Sequence, residues 1–436
     1  MATGEEGTLL SRHNVLGLGS VLGGVLAHLA LGTVYCFGNF QSYMPPELRF
    51  FDGLQHGGQP DAILVLPLCI VAHATFMTVG PEVSRNIGPR RTALLGGLMQ
   101  AAGVYLSSYA KTLTQFIATY SILFGWGIGT AYTAPMSAAW KYFPNKKGFV
   151  SGAVLTGFGS GGFIFNLIGS RIANPKGINM VNGQFPPEIY ARFPVMLRTL
   201  SRYYAYLAIA GFILIRDKTP AEVDGVKAAT AAGPEATGLT LSDAVRTKQF
   251  YTLWGMVVLA VCGGLTVGNV FKSYAQGFAA LNSDSFMALV GGFGALFNGI
   301  GRLFWGSVSD VIGFRKSFYT LSGLQVAIMA LFPLTTSTRY LYMMAVCTSY
   351  FLLGGLFALV PPVVQRLFGS KHGATVYGAL FSSFAAASLG GAHLTKLVVK
   401  SLGWAPLFRG LAVAALGAAA LSYTLEPLPE LEGSSL

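Results

Sequence analysis

The chain has 436 residues, 53% hydrophobic and 11% charged, with a mean hydropathy of +0.55 and a formal net charge of +12. Soluble domains carry about a quarter charged residues, so this composition excludes an ordinary soluble globular protein, and recurring apolar stretches suit helices across a hydrocarbon core roughly 30 Å thick. The short alternating segments of a membrane β-barrel are not seen, and the basic excess reads as loop charge that sets topology, not as a nucleic-acid surface.

The N-terminal residues include Glu5 and Glu6 and offer no convincing cleavage site, so no removable signal peptide is expected. Hydropathy then predicts spans near 15–39, 62–82, 92–110, 113–139, 149–171 and 200–216. Residues 217–248 follow as a linker, Ala/Gly/Thr-rich at "KAATAAGPEATG". It ends in "TLSD", where Thr240 is placed to cap a short helix and Asp243 to reach back to it. A second set of spans is predicted near 249–275, 286–308, 317–335, 338–364, 374–397 and 404–424. The expected fold is an all-α membrane protein of twelve transmembrane helices in two pseudo-symmetric six-helix bundles, 1–216 and 249–436, joined by a cytoplasmic linker at 217–248. Cys36, Cys69, Cys262 and Cys347 all fall inside apolar runs and read as small hydrophobes, with no disulfide or metal spacing.

Two features organise these spans. Sixteen loop lysines and arginines fall on one side and eleven on the other, five of the eleven in the loop before the sixth span, which places both termini in the cytoplasm. The halves also echo each other: "VSRNIGPRR" (83–91) aligns with "VSDVIGFRK" (308–316) at an offset of 225. The same offset joins Phe143 to Phe368, Lys146 to Lys371 and Gly148 to Gly373. Two repeats rocking about a shared midplane site are the machinery of an alternating-access transporter.

The eighth predicted span carries the main chemical signal. On a helical wheel Gly291, Ala295, Asn298 and Arg302 share one face, and Phe293, Leu296, Phe297, Ile300 and Phe304 take the other. Arg302 is therefore expected to point into the bundle or a watery cavity, as intramembrane charges do. Its planar fork suits a carboxylate and stays charged in a low dielectric. Two structural readings compete: snorkelling to the interface four residues away, or an ion pair at a gate. In the first span Gly17, Val21, Gly24, His28, Gly32, Tyr35 and Asn39 form a second polar line, so His28 and Tyr35 are expected to face the cavity of Arg302. His28 is the candidate for carrying a coupling proton, against the plainer role of a neutral, hydrogen-bonded core histidine. His73, mid-span in the second helix, is read the same way. Asn298, one turn before Arg302, is placed to orient the guanidinium or touch substrate, and Lys272, Lys396, His393 and Arg409 are read as interfacial. No metalloprotease, nucleophile-elbow or paired-aspartate pattern occurs within the spans, so neither an enzyme nor a metal or cofactor is expected. "GLGSVLGG" (17–24) lies in an apolar helix with no preceding strand, which suits helix packing and not a nucleotide.

The loop "GSVSDVIGFRK" resembles the Gly-x-x-x-Asp-x-x-Gly-x-Arg-Lys gate loop of the major facilitator superfamily, with Gly306 allowing close helix approach, Asp310 capping or pairing across the gate, and Arg315 holding the loop in the cytoplasm. In the first-half copy Pro81 and Arg85 replace the glycine and the aspartate. Within the superfamily, "LGTVYCFGNF" (31–40), "GIGTAYTAPMSAAWKYFPNKKGFVSGAVLTGFGSGG" (127–162), "TLSDAVRTKQFYTLW" (240–254) and "NGIGRLFWGSVSD" (298–310) resemble the oxalate:formate antiporter group and its monocarboxylate transporter relatives. The resemblance implies that Arg302 binds a substrate carboxylate and that Tyr35 and Tyr132 line the pocket. It also implies a departure: oxalate carriers place a second basic residue in the eleventh span, where this chain aligns Phe384. One cation balances one carboxylate, and a second carboxylate buried unpaired costs several kcal/mol. The expected function is therefore secondary transport of a small organic anion, a monocarboxylate, by proton symport or anion exchange, with the lipid bilayer and protons as the other partners. The alternatives are a facilitator for another small solute, such as an amino acid or a nucleoside, and a non-transporting sensor.

Overall fold

The computed structural model describes residues 12–54, 59–143, 147–181, 184–216, 238–369 and 373–426. Their regular structure is helical, apart from two isolated bridges, Val181 to Gln184 and Gly238 to Gly369. In chain order the principal helices before the linker are α1 (Arg12–Leu31), α2 (Val65–Ile87), α3 (Pro89–Ser107), α4 (Phe124–Ala131), α5 (Lys147–Ala173) and α6 (Pro187–Leu214). After it come α7 (Lys248–Ala275), α8 (Asp284–Ile312), α9 (Phe314–Leu331), α10 (Arg339–Phe368), α11 (Ser382–Leu402) and α12 (Trp404–Ser422). The linker residues 217–237 lie outside the described residues. Its end is as expected: Thr240 Oγ1 accepts the N–H of Asp243 at the start of a short helix, and the carboxylate of Asp243 reaches back to the hydroxyl of Thr240.

Among the described residues, eight segments are long and apolar enough to cross a bilayer. They include α1 with its continuation to Tyr43, and the segments built on α2, α5, α7, α8, α9, α10 and α12. The expected spans near 92–110, 113–139, 200–216 and 374–397 fall outside this set, for local reasons. The α3 helix opens on Arg90 and Arg91 and carries Gln100. The stretch around α4 is divided by a π-helical turn at Ile117–Leu123 and by the break before Ala134–Trp140, where Pro135 cannot donate a backbone hydrogen bond. The α6 helix begins at Pro187, thirteen residues before the predicted span, so Arg192, Arg198 and Arg202 ride on a helix and not in the loop assigned to them. The run before α11 is interrupted between Leu380 and Ser382.

Glycine decides the tightest crossings. A Cβ on Gly32 would fall 1.7 Å from the carbonyl oxygen of Phe158, so only glycine lets the end of α1 lie against α5. The contact of α8 with α10 has the same origin: Cβ atoms on Gly301 and Gly354 would each sit 2.1 Å from a backbone oxygen of the facing helix. Small residues at contacts of this kind drive helix association in lipid, where burial of apolar surface gives no advantage. The two repeated loops also share a backbone conformation. Gly88 ends α2 at φ 84° and Gly313 ends α8 at φ 83°, a region in which a side chain is strained. Leu18, Leu22, Ile213, Leu397, Val413 and Leu416 are exposed apolar side chains. They would be a liability in water and are normal against lipid.

Candidate functional site

The wheel drawn for the eighth span describes α8 well. Ala295 and Asn298 are fully buried, Arg302 is 6% exposed, and Ile300 and Phe304 face outward at 45% and 49%. Arg302 is gathered by residues from four other segments of the chain. Its Nη1 donates to the hydroxyl of Tyr132 at 3.0 Å and its Nη2 to that of Tyr35 at 3.3 Å. Nε donates to Asn298 Oδ1 at 3.3 Å, one turn back on the same helix. Asn298 in turn donates its amide N–H to the carbonyl of Tyr350 at 3.1 Å, which turns its oxygen toward the arginine. The rings of Phe158 and Phe357 lie 5.1 and 4.5 Å from the guanidinium, within cation–π range. No carboxylate among the described residues pairs with Arg302. The side chain thus turns inward rather than toward the interface, and no ion pair is seen for it among the described residues.

Arg302, Tyr35 and Tyr132 line a small cavity of about 40 Å³. Its wall is otherwise mostly apolar, and Arg302 is the one permanent charge among the lining residues. Phe384 belongs to that wall, its ring 4.6 Å from Phe381 and 4.7 Å from Phe357, centroid to centroid. Three aromatic rings thus cluster on this side of the wall. Of the two histidines, His73 lines the cavity and His28 does not. His28 is fully buried, with Nδ1 2.9 Å from the carbonyl oxygen of Gly24 and its ring against Tyr132 and Phe158.

A second polar cluster lies one helical turn, about 6 Å, beyond the cavity: Asn39 follows Tyr35 by four residues, and Lys272 follows Gly268 by four. Lys272, read from sequence as interfacial, is 2% exposed. Its ammonium lies 2.5 Å from Asp284 Oδ1 and donates to Asn39 Oδ1 at 2.8 Å. The other oxygen of Asp284 accepts from the hydroxyl of Tyr43 and from Asn174 Nδ2, both at 2.7 Å. Lys272 also stands over the ring of Tyr43 at 4.2 Å. The cluster ties α7 and α8 to the continuation of α1 and to the end of α5. Sequence reasoning missed it because Asp284 reads as a first-turn residue of α8, after the cap Ser283. The only hint was that two opposite charges flank one short connection. Lys396, also read as interfacial, pairs with Asp61 ahead of α2.

The gate-loop residues are placed less as expected. Gly306 makes only ordinary contact, its would-be Cβ 3.8 Å from that of Ala358, so the close approach assigned to it belongs instead to Gly301 and Gly354. Arg315 donates to the backbone carbonyl of Leu425. The side chain of Asp310 lies outside the described residues.

No protein-family model matches the chain. It is 30% identical to Apicoplast pyruvate carrier 1 of Toxoplasma gondii, in an alignment covering 90% of this chain and 85% of the carrier. It is 26% identical to the Oxalate:formate antiporter of Oxalobacter formigenes over 78% of this chain and 77% of the antiporter. A shorter match, 31% identical over 20% of each chain, joins it to Monocarboxylate transporter 13 of Rattus norvegicus. A buried arginine with no carboxylate partner among the described residues, in a small cavity among apolar helices, together with a likeness that spans nearly the whole chain, makes this protein a member of the major facilitator superfamily, in its oxalate:formate antiporter and monocarboxylate transporter-like family.

Proposed function

We propose that this protein is a secondary active transporter that carries a small monocarboxylate through the cavity at Arg302 by alternating access. The observation that carries this reading is the arginine itself: buried, held by two tyrosine hydroxyls and one amide, and paired with no carboxylate among the described residues. Three of its five N–H donors are engaged. The two that remain, one on each terminal nitrogen, match the two oxygens of a carboxylate. The single charge in the wall and the aromatic side around Phe384 favour a monoanion over oxalate. The names of the relatives, a pyruvate carrier and an oxalate:formate antiporter, agree with an organic-anion substrate.

In this reading twelve spans form two six-helix bundles, 1–216 and 249–436, about a cytoplasmic linker at 217–248, with both termini in the cytoplasm. The shared conformation of Gly88 and Gly313 supports the repeat. The Lys272 cluster then closes the outer end, and rocking of the bundles breaks its bonds to Asn39, Tyr43 and Asn174. Asp310 and Arg315 belong to the opposite gate. Transport runs as proton symport, with His28 as the titrating group, or as anion exchange, in which an empty Arg302 site reorients poorly. Pyruvate uptake into proteoliposomes tests the anion site. Arg302→Lys keeps the charge but loses the fork, and uptake is expected to fall at least tenfold, the loss of one charge-assisted hydrogen bond, at normal protein yield. Unchanged KM and rate in that variant would refute the assignment.

A further inference from the structure

We infer that His73 is the specificity residue of the cavity: its ring hydrogen-bonds the oxygen on C2 of a 2-oxo or 2-hydroxy acid whose carboxylate is held by Arg302. This deepens the transport reading and rests on it. His73 is 6% exposed and lines the cavity, yet its Nε2 has no hydrogen-bond partner among the described residues. Buried polar atoms are nearly always satisfied, and unsatisfied ones in the wall of a ligand cavity, here His73 Nε2 and the Tyr350 hydroxyl, point to the ligand. The placement is suitable. The His73 ring lies 5.5 Å from that of Tyr132, centroid to centroid, and the hydroxyl of Tyr132 holds Arg302. A carboxylate docked on the guanidinium therefore brings its C2 substituent toward the imidazole. The ring is backed by Phe381 at 4.9 Å. The backbone beneath it is fixed by α4, where a Cβ on Gly129 would meet the carbonyl oxygen of His73 at 2.5 Å. A neutral imidazole offers either an N–H to a ketone oxygen or a lone pair to a hydroxyl, so one residue serves both oxidation states at C2. An acid without that oxygen leaves Nε2 unpaired, and sites built around such a bond discriminate against the plain analogue.

The test compares pyruvate, lactate and propionate as ligands of the purified full-length protein, by thermal shift and by competition for pyruvate uptake in proteoliposomes. The wild type is expected to prefer pyruvate and lactate over propionate by about 3- to 10-fold, the range of one hydrogen bond. His73→Leu should bring that ratio close to 1 while leaving propionate binding within about twofold. His73→Gln, which keeps a donor and an acceptor, should retain most of the preference and guards against simple misfolding. A wild type without preference, an unchanged ratio in His73→Leu, or an equal loss for all three acids would overturn the role of His73. Arg302→Gln is the control for the underlying reading and should lose all three acids. If it still binds propionate, the carboxylate site itself is wrong, and this inference falls with it.

Discussion

The buried pair of Lys272 and Asp284 gives the sharpest energetic prediction. Lys272→Met keeps the length and apolar stem of the side chain and removes its charge. The carboxylate of Asp284 would then be left with the hydroxyl of Tyr43 and the amide of Asn174. These supply two neutral hydrogen bonds and no counter-charge, in a site where both partners are nearly fully buried. Removing one member of such a pair costs about 3–5 kcal/mol, because the survivor remains desolvated and uncompensated. Removing both charges is far milder. In Lys272→Met/Asp284→Asn the amide keeps an oxygen for Tyr43 and Asn174, so the double variant should recover most of the loss. Reversible unfolding of the purified protein in mixed detergent micelles measures each variant, and a double-mutant cycle isolates the pair. The expected coupling is about 2–3 kcal/mol. A single variant within about 1 kcal/mol of wild type, or a double variant as unstable as the two singles summed, would refute the argument.

Tyr35→Phe and Tyr132→Phe each remove one hydroxyl from Arg302. Each should raise the KM for pyruvate by about 3- to 10-fold, one net hydrogen bond; wild-type KM in both would show that the hydroxyls do not shape the site. Gly32→Ala places a methyl 1.7 Å from a backbone oxygen and should abolish recovery of monodisperse protein on size exclusion, whereas Gly323→Ala, whose Cβ meets nothing within 4 Å, should be neutral or stabilising by about 0.5–1 kcal/mol. Equal behaviour of the two glycine variants would contradict the packing described for α1 and α5. Phe384→Lys adds a cation to the aromatic wall and should raise inhibition of pyruvate uptake by oxalate relative to that by lactate. Oxalate inhibition no stronger than in the wild type would show that a single charge is not what sets the preference.

Sequence alone determined the helical membrane class, the inward face of α8 and the place of Asn298 beside Arg302, whereas the expectation that Tyr35 and Tyr132 line the same pocket came from the family resemblance. The physical reason is that lipid penalises exposed polar groups, so an arginine inside an apolar run must turn to the interior, and helical periodicity then names its neighbours on that face. The extent of α6 was not legible, since a helix rich in arginine carries no hydropathy signal where it leaves the predicted span. Tertiary structure alone decided which polar groups meet. Lys272 and Asp284 stand on different helices, and their partners Asn39, Tyr43 and Asn174 lie more than 100 residues away along the chain, a pairing that no periodicity encodes. The same holds for the two histidines. Both read as mid-span polar residues, and packing alone seats His28 behind Tyr132 and Phe158 while opening His73 to the cavity, because ring positions are set by neighbouring helices rather than by the helix that carries the residue.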